Sequence, residues 1–140
     1  MIGRVRTWLA RRFREKRLGE RGEDVAARFL KRRGFKILGR QVDTRQGEVD
    51  IIAVDGRTVV FVEVKTRHST DAGHPTEAID EAKQARLTRA ALAYLKANGL
   101  MNYAARFDVV AITWPKEARQ PAIEHYQDAF PAVGAGQFFR

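Results

Sequence analysis

Residues 49–65 read VDIIAVDGRTVVFVEVK. Two β-branched runs flank Asp55-Gly56, and Asp-Gly between such runs is the strongest short-range signal for a β-hairpin. Both runs are apolar almost throughout, which places the two strands in the centre of a sheet. Asp50, Glu63 and Lys65 are the exceptions, and an ionisable group on a core strand is costly unless it is paired, coordinated or set at a functional edge. The stretch therefore predicts two central strands and a candidate site on them.

The length of the hairpin loop decides on which face the charges lie. A two-residue Asp55-Gly56 loop pairs Val54 with Arg57. In that register the two carboxylates are diagonal neighbours on one face, about 7–8 Å apart between backbones. A four-residue loop places them directly opposite each other, whereas a three-residue loop puts them on opposite faces. Side chains alternate along a strand, so Lys65 shares the face of Glu63.

Two carboxylates on one face predict a metal site. Asp50 and Glu63 suit a hard cation such as Mg²⁺ (or Mn²⁺), which takes oxygen ligands and keeps several waters, and the Val64 carbonyl could add a third oxygen. A cation there polarises a phosphoryl oxygen and lowers the pKa of bound water. Lys65 can orient that water or stabilise the charge of the pentacovalent state. The alternative is a structural ion pair of Lys65 with Glu63 or with Asp50 at a strand end.

Two charged residues on helices are predicted to face the same sheet. Glu23 shares a helical stripe with Ala26 and Leu30, and Lys83 lies in line with Leu87 on the apolar face of its own helix. The simpler explanations are dipole preference for Glu23 and snorkelling for Lys83. Because both face a sheet that carries three more charges, we expect one shared site.

The rest of the chain predicts alternating helices and strands. In order, we expect a helix from 22 to a Gly34 C-cap, a strand over 35–40, a polar loop over 41–46, the hairpin strands, a loop over 67–76, a helix over 77–98, and strands over 107–114 and 122–126. This order predicts an α/β fold with a central mixed sheet and helices packed on it.

Composition bounds the class of protein. The 140 residues fit one domain, and the absence of cysteine excludes disulfides, zinc ribbons and thiol nucleophiles. Ser69, the only serine, lacks a G-x-S-x-G context, which disfavours serine hydrolysis. No apolar run has the length of a signal peptide or membrane span. We therefore expect a cytoplasmic protein without stable membrane insertion.

The charge balance favours a polyanionic partner. Lysine and arginine number 26 against 17 acidic residues, a net charge of +9. Such a field attracts nucleic acid first and anionic membrane second, although an arginine-rich proteome would give the same count. Residues 1–21 hold +6 of this charge, Arg11 and Arg12 included, with apolar residues at helical spacing. We expect a basic amphipathic arm over 1–20, a compact domain over 21–130 and a flexible tail over 131–140.

Five separated blocks of sequence follow one another in a recognisable order. They are GEDVAA at 22–27, GEVDIIA at 47–53, FVEVKTR at 61–67, the helix of Lys83 and RFDVV at 106–110. Together they resemble the YraN family of small bacterial proteins. That family is itself similar to archaeal Holliday junction resolvases and to the wider PD-(D/E)xK nuclease superfamily. The resemblance runs from about residue 18 to residue 130.

The resemblance implies a restriction-endonuclease-like fold and assigns roles within it. Asp50, Glu63 and Lys65 match the three signature positions, and Glu23 matches the helix-borne carboxylate of the resolvase-like branch. Lys83 matches a basic or amide residue that often follows the signature strand. Before Asp50 stands a valine where the superfamily pattern has proline. Arg106 and Asp108 of the last block fit a structural pair as well as a functional one.

Three hypotheses for function follow. The first is a Mg²⁺-dependent endonuclease acting on DNA, on branched or repair structures, with Lys83, Arg67, Arg11 and Arg12 contacting the nucleic acid. The second is a nucleic-acid-binding module without turnover, and the third is a structural or membrane-surface protein that uses its basic arm. Two carboxylates facing phosphate repel it unless a metal offsets them, which favours the first. Cutting a two-fold junction would favour a homodimer.

Overall fold

A five-stranded mixed sheet forms the centre of the computed structural model, which describes the backbone of residues 2–71 and 73–134 and the side chains from residue 17 onward within those ranges. The elements are, in chain order, α1 (Ile2–Arg32), β1 (Lys36–Thr44), β2 (Gly47–Asp55), β3 (Thr58–Arg67), a 3₁₀ turn (Pro75–Ala78), α2 (Glu81–Ala97), β4 (Ala104–Thr113) and β5 (Ala122–Phe130). The predicted α/β class, with helices flanking a mixed sheet, is confirmed.

The sheet has the strand order β1-β2-β3-β4-β5. Neighbouring strands pair antiparallel except β3 and β4, which are parallel. A parallel pair needs a long crossover connection, and α2 supplies it. The helices cover opposite faces of the sheet, so the inner strands are buried on both sides and read as continuous apolar runs.

The core has one part beneath each helix. The core beneath α1 is formed by residues of that helix and of the sheet: Ala26, Ala27, Leu30, Ile51, Ala53, Val60, Val62, Val110 and Ile112. The core beneath α2 is likewise formed by residues of that helix and of the sheet: Val49, Ile52, Val59, Phe61, Leu87, Ala90, Ala91, Leu95, Phe107 and Val109. The two parts sit on opposite sides of β2 and β3, the strands that carry the candidate site.

The hairpin exists, but the Asp55-Gly56 loop is wrong: the pairing is the one expected for a four-residue loop, with Asp50 opposite Glu63. Asp55 pairs with Thr58, so Gly56 and Arg57 form the two-residue loop. Gly56 has φ 61° whereas Arg57 does not have a positive φ, which is the pattern of a type II′ turn with glycine first. An Asp55-Gly56 loop of type I′ would require a positive φ at Asp55 as well. The shift is by two residues, so each side chain keeps its face.

Several element boundaries also differ from the prediction. Strand β1 continues to Thr44 through residues expected to be a polar loop, because it is an edge strand whose outer side tolerates polar side chains. The helix predicted from 77 begins at Glu81, where Asp80 caps it by accepting a hydrogen bond from the Lys83 N–H.

Helix α1 is a single helix where the change in pattern at Gly22 suggested two. A Cβ added at Gly22 would collide with the side chain of Thr66, so this glycine allows α1 to pack closely on β3. The limits of the arm and of the domain remain predictions. Residues 135–140 of the predicted tail lie outside the described residues, and before them the Val133 N–H donates to Thr88 Oγ1.

Candidate functional site

The two signature carboxylates lie at the end of the β2–β3 ladder. Its last pair is Ile51 with Val62, and the next residues along the two strands are Asp50 and Glu63. Beyond them, the Val64 N–H donates a hydrogen bond of 2.8 Å to Asp50 Oδ2. The side chain of Asp50 therefore reaches across to β3 at the level of Glu63. This agrees with the two loop lengths that were expected to place both carboxylates on one face.

The electrostatics of Asp50 show how tightly charges are grouped. Burial, followed by the negative charge of Glu63, raises the pKa of Asp50 to about 7. The hydrogen bond from Val64 lowers it, the charge of Glu23 raises it further, and the charge of Lys83 lowers it. Groups from both helices and both strands thus act on one carboxyl group.

Lys83 is bound to the second carboxylate. Its Nζ lies 2.5 Å from Glu63 Oε1, and the two side chains are only 23% and 11% exposed. Lys83 stands in the first turn of α2, so the Asp80 cap fixes the point from which it extends. The structure brings Lys83 into the predicted site as a partner of the metal-ligand candidate Glu63.

Lys65 is partly buried and lies on the same strand, two residues beyond Glu63. Within the described part of the chain its side chain forms neither an ion pair nor a hydrogen bond. Neither an ion pair of Lys65 with Glu63 nor one with Asp50 is therefore present among the described residues, and Glu63 pairs with Lys83 instead. The ammonium of Lys65 is left available to a ligand.

Glu23 is the buried acid of α1, only 6% exposed. Gln41 Nε2 donates to its Oε2 at 3.4 Å, whereas its Oε1 lies 3.5 Å from Arg40 Nε without hydrogen-bond geometry. Burial raises the pKa of Glu23 against the opposing effects of Gln41 and Arg40. Arg40 and Gln41 were missed in the sequence because they fall between the predicted strand and the predicted loop, and no motif marks them.

The donor set fits a hard divalent cation that keeps most of its waters. Among the described residues, no three histidine, cysteine or acidic side chains lie close enough together to form a complete metal cage. Asp50 and Glu63 provide two carboxylates, and the Val64 carbonyl is the third candidate oxygen. The buried Oε1 of Glu23, which has no hydrogen-bond partner in the described structure, lies in the same charged neighbourhood. Lys83 balances the charge of Glu63 and Arg40 lies near Glu23, so Asp50 is the carboxylate of this group without an ion-pair partner among the described residues.

The remaining predicted nucleic-acid contacts are Arg67 on β3 and Arg11 and Arg12 in the arm. Arg67 Nη1 donates to the Gly73 carbonyl at 2.5 Å and so anchors the loop after β3. The side chains of Arg11 and Arg12 lie outside the described part. The structure therefore gives Arg67 a structural contact and leaves the role of the arm as a prediction.

The last sequence block forms a separate buried network. Asp108 is fully buried and accepts hydrogen bonds from Arg106 Nε at 3.0 Å, from His125 Nε2 at 2.8 Å and from the Asp128 N–H at 2.9 Å. Burial raises the pKa of Asp108, but these three donors outweigh it and hold the pKa below its usual range. Arg106 also binds Asp55 at the hairpin turn, so the network ties β4 to β2 and β5.

Comparison with known proteins gives a consistent result. The model of the uncharacterised protein family UPF0102 matches residues 22–112. A UPF0102 protein of Rhodopirellula baltica is 49% identical over 125 residues, 87% of this chain and 75% of the relative. One of Geotalea daltonii is 51% identical over 115 residues, 82% and 90% of the two chains, and one of Geobacter sulfurreducens is 49% identical over 113 residues, 81% and 88%. The chain therefore belongs to the UPF0102 family, which is the YraN family that its motifs resemble.

Proposed function

We propose that this protein is a metal-dependent endonuclease that hydrolyses phosphodiester bonds of DNA. One observation carries the proposal: Asp50 and Glu63 meet at the end of one ladder, with Lys83 bound to Glu63 and Lys65 two residues further along β3. Two carboxylates raise the free energy of a nearby phosphate, and a bound cation would offset that repulsion. The lysines supply the positive charge that phosphate needs.

Asp50, Glu63 and the Val64 carbonyl would hold the metal, Mg²⁺ or Mn²⁺. When bound, such a cation supplies charge stabilisation at a phosphoryl oxygen and a more acidic bound water. The Val64 N–H fixes the orientation of the Asp50 carboxylate, since it already occupies one oxygen. Asp50 is thereby aimed before any ligand arrives.

The two lysines differ in what they can do. Lys65 has no partner among the described residues and is the candidate for stabilising charge on the phosphate during hydrolysis. Lys83 neutralises Glu63 in this structure and contributes a second positive charge beside the phosphate position. The basic arm and the net charge of +9 favour DNA as the partner, with Arg11 and Arg12 as backbone contacts.

A second candidate function is a nucleic-acid-binding module without turnover. The observation that favours it is the short Lys83–Glu63 pair, because an ammonium bound to Glu63 competes with a divalent cation for the same oxygen. In that case the site would be neutralised internally and phosphate would meet only Lys65 and the arm. Cleavage and binding assays separate the two candidates.

The test is cleavage of a panel of DNA structures that includes duplex, single-stranded, flapped and four-way branched substrates. We expect nicking with Mg²⁺ or Mn²⁺ that EDTA abolishes, and Ca²⁺ should permit binding with little cutting. The Asp50→Asn/Glu63→Ala double variant, purified in parallel, controls for a contaminating nuclease. Cleavage that survives in the double variant would refute the catalytic proposal. Binding without cleavage of any substrate by the wild type would favour the binding module.

A further inference from the structure

Gln41 has a backbone conformation that glutamine rarely adopts. Its φ is 47°, in the left-handed region, although it lies inside strand β1 and not in a turn. That conformation is strained for any residue with a side chain. The ladder keeps the same register on both sides of it, pairing Arg40 with Ile51 and Val42 with Val49. The strain therefore does not serve a change of register.

What the strain accomplishes is a change of face. Residues two apart in a regular strand share a face. Yet Arg40 binds acids of α1, whereas Val42 packs against the core beneath α2. On the neighbouring strand, Val49 belongs to the core beneath α2 and Ile51 to the core beneath α1. In both strands the alternation of side chains between the two faces is interrupted at the same level. In β1 the interruption occurs at Gln41.

Asp50 stands opposite Gln41, between those two pairs. The charges of Glu23 on α1 and Lys83 on α2 both act on it there. The amide of Gln41 donates to the buried carboxylate of Glu23 at 3.4 Å. The strained residue Gln41 thus lies opposite Asp50 and contacts Glu23, the buried acid of α1.

We propose that Gln41 is a positioning residue, whose left-handed backbone and side-chain amide hold Glu23 of α1 at the site formed by Asp50 and Glu63. The role of that site rests on the proposed function, whereas the contact between Gln41 and Glu23 does not. Strained conformations persist where the surrounding structure imposes them, and they concentrate at functional sites. If Gln41 had only a structural role in this edge strand, glycine at position 41 would make the protein more stable.

Three variants test the proposal. Gln41→Gly relieves the strain and removes the amide, and Gln41→Asn tolerates the left-handed conformation but is one methylene too short to reach Glu23 in the same way. The matched control is Glu117→Gly, which relieves the same kind of strain (φ 69°) at an exposed turn between β4 and β5. Each protein is measured for its Tm, its affinity for Mn²⁺, its cleavage rate and the ¹³C signal of the Glu23 carboxyl group.

We expect both Gln41 variants to keep the wild-type Tm or to raise it by up to about 4 °C. They should nevertheless shift the Glu23 signal, weaken Mn²⁺ binding about 3- to 10-fold and slow cleavage about 10-fold. Glu117→Gly should change the Tm alone. A purely structural residue would not produce an unchanged or higher Tm together with weaker Mn²⁺ binding and slower cleavage.

Two results would overturn the positioning role. One is an unchanged Glu23 signal with unchanged Mn²⁺ affinity in both Gln41 variants. The other is a loss of Tm that accompanies the loss of affinity, which would make Gln41 a structural residue. A wild type that neither binds Mn²⁺ nor cleaves DNA would refute the proposed function instead, and the Glu23 signal would still decide whether Gln41 holds that side chain.

Discussion

Replacing Asp50 by asparagine should stabilise the metal-free protein, and the size of the effect follows from the site. Burial and the charge of Glu63 raise the pKa of Asp50 to about 7, from 3.8 in an unfolded chain. Between these values the folded protein holds a proton that the unfolded chain releases, so stability falls as pH rises. One pKa unit corresponds to about 1.4 kcal/mol, so the full loss above pH 7 is on the order of 4 kcal/mol. Asparagine does not titrate, and its carbonyl oxygen can still accept the Val64 N–H.

The assay is urea denaturation of both proteins in EDTA from pH 4 to pH 8. We expect the free energies of unfolding to be similar near pH 4 and the variant to be more stable by several kcal/mol at pH 8. Asp43→Asn, which removes an exposed carboxylate from β1, controls for the loss of one negative charge. Addition of Mg²⁺ should stabilise the wild type and leave Asp50→Asn almost unchanged. A variant that is no more stable than the wild type at pH 8 would refute this description of the site.

Three further predictions concern its surroundings. Gly22→Val should cost about 1–3 kcal/mol of stability in urea denaturation, because its side chain would collide with Thr66, whereas Gly19→Val, with open space around it, should cost less. Lys83→Met should bind Mg²⁺ several-fold more tightly in calorimetry, because it removes the ammonium that competes for Glu63, and weaker binding would contradict that competition. A chain shortened to begin at residue 18 should bind duplex DNA more weakly, with the slope of log K against log salt reduced by about 0.9 for each phosphate that the arm neutralises. An unchanged slope would assign the arm another role.

The central strands and their charges could be predicted because they depend on local patterns. The apolar runs on either side of the hairpin specify strands buried on both faces, and period-two alternation places Glu63 and Lys65 together whatever the exact loop. The register itself could not be predicted, because it depends on which residue adopts a positive φ at the turn. Gly56 does so as the first loop residue, which moves the pairing by two positions and leaves the faces intact.

The contacts around Glu23 depend on tertiary structure and left no local signal. Gln41 lies in a polar stretch that resembles a loop, and only its pairing opposite β2 makes it a strand residue beside the site. Gly22 resembles a break between two helices, whereas its actual role is to let α1 approach Thr66. In both cases a weak local preference is overridden by packing against the sheet.

The Lys83–Glu63 pair could be anticipated only in part. The helical stripe places Lys83 over the sheet, but nothing in the sequence says which of the three strand charges it meets. The choice depends on where α2 begins, and the Asp80 cap sets that start four residues later than the sequence predicts.

The central claim is that Glu63 holds the metal and Lys65 stabilises charge on the phosphate during cleavage, and single-turnover kinetics at saturating DNA test it most directly. Glu63→Ala and Lys65→Ala should each lower the rate about 100-fold or more while DNA affinity stays close to that of the wild type. Lys36→Ala, which removes an exposed lysine at the start of β1, should leave the rate unchanged. Rates that fall only as far as DNA affinity falls, or cleavage that persists in Glu63→Ala, would contradict a catalytic role for this site.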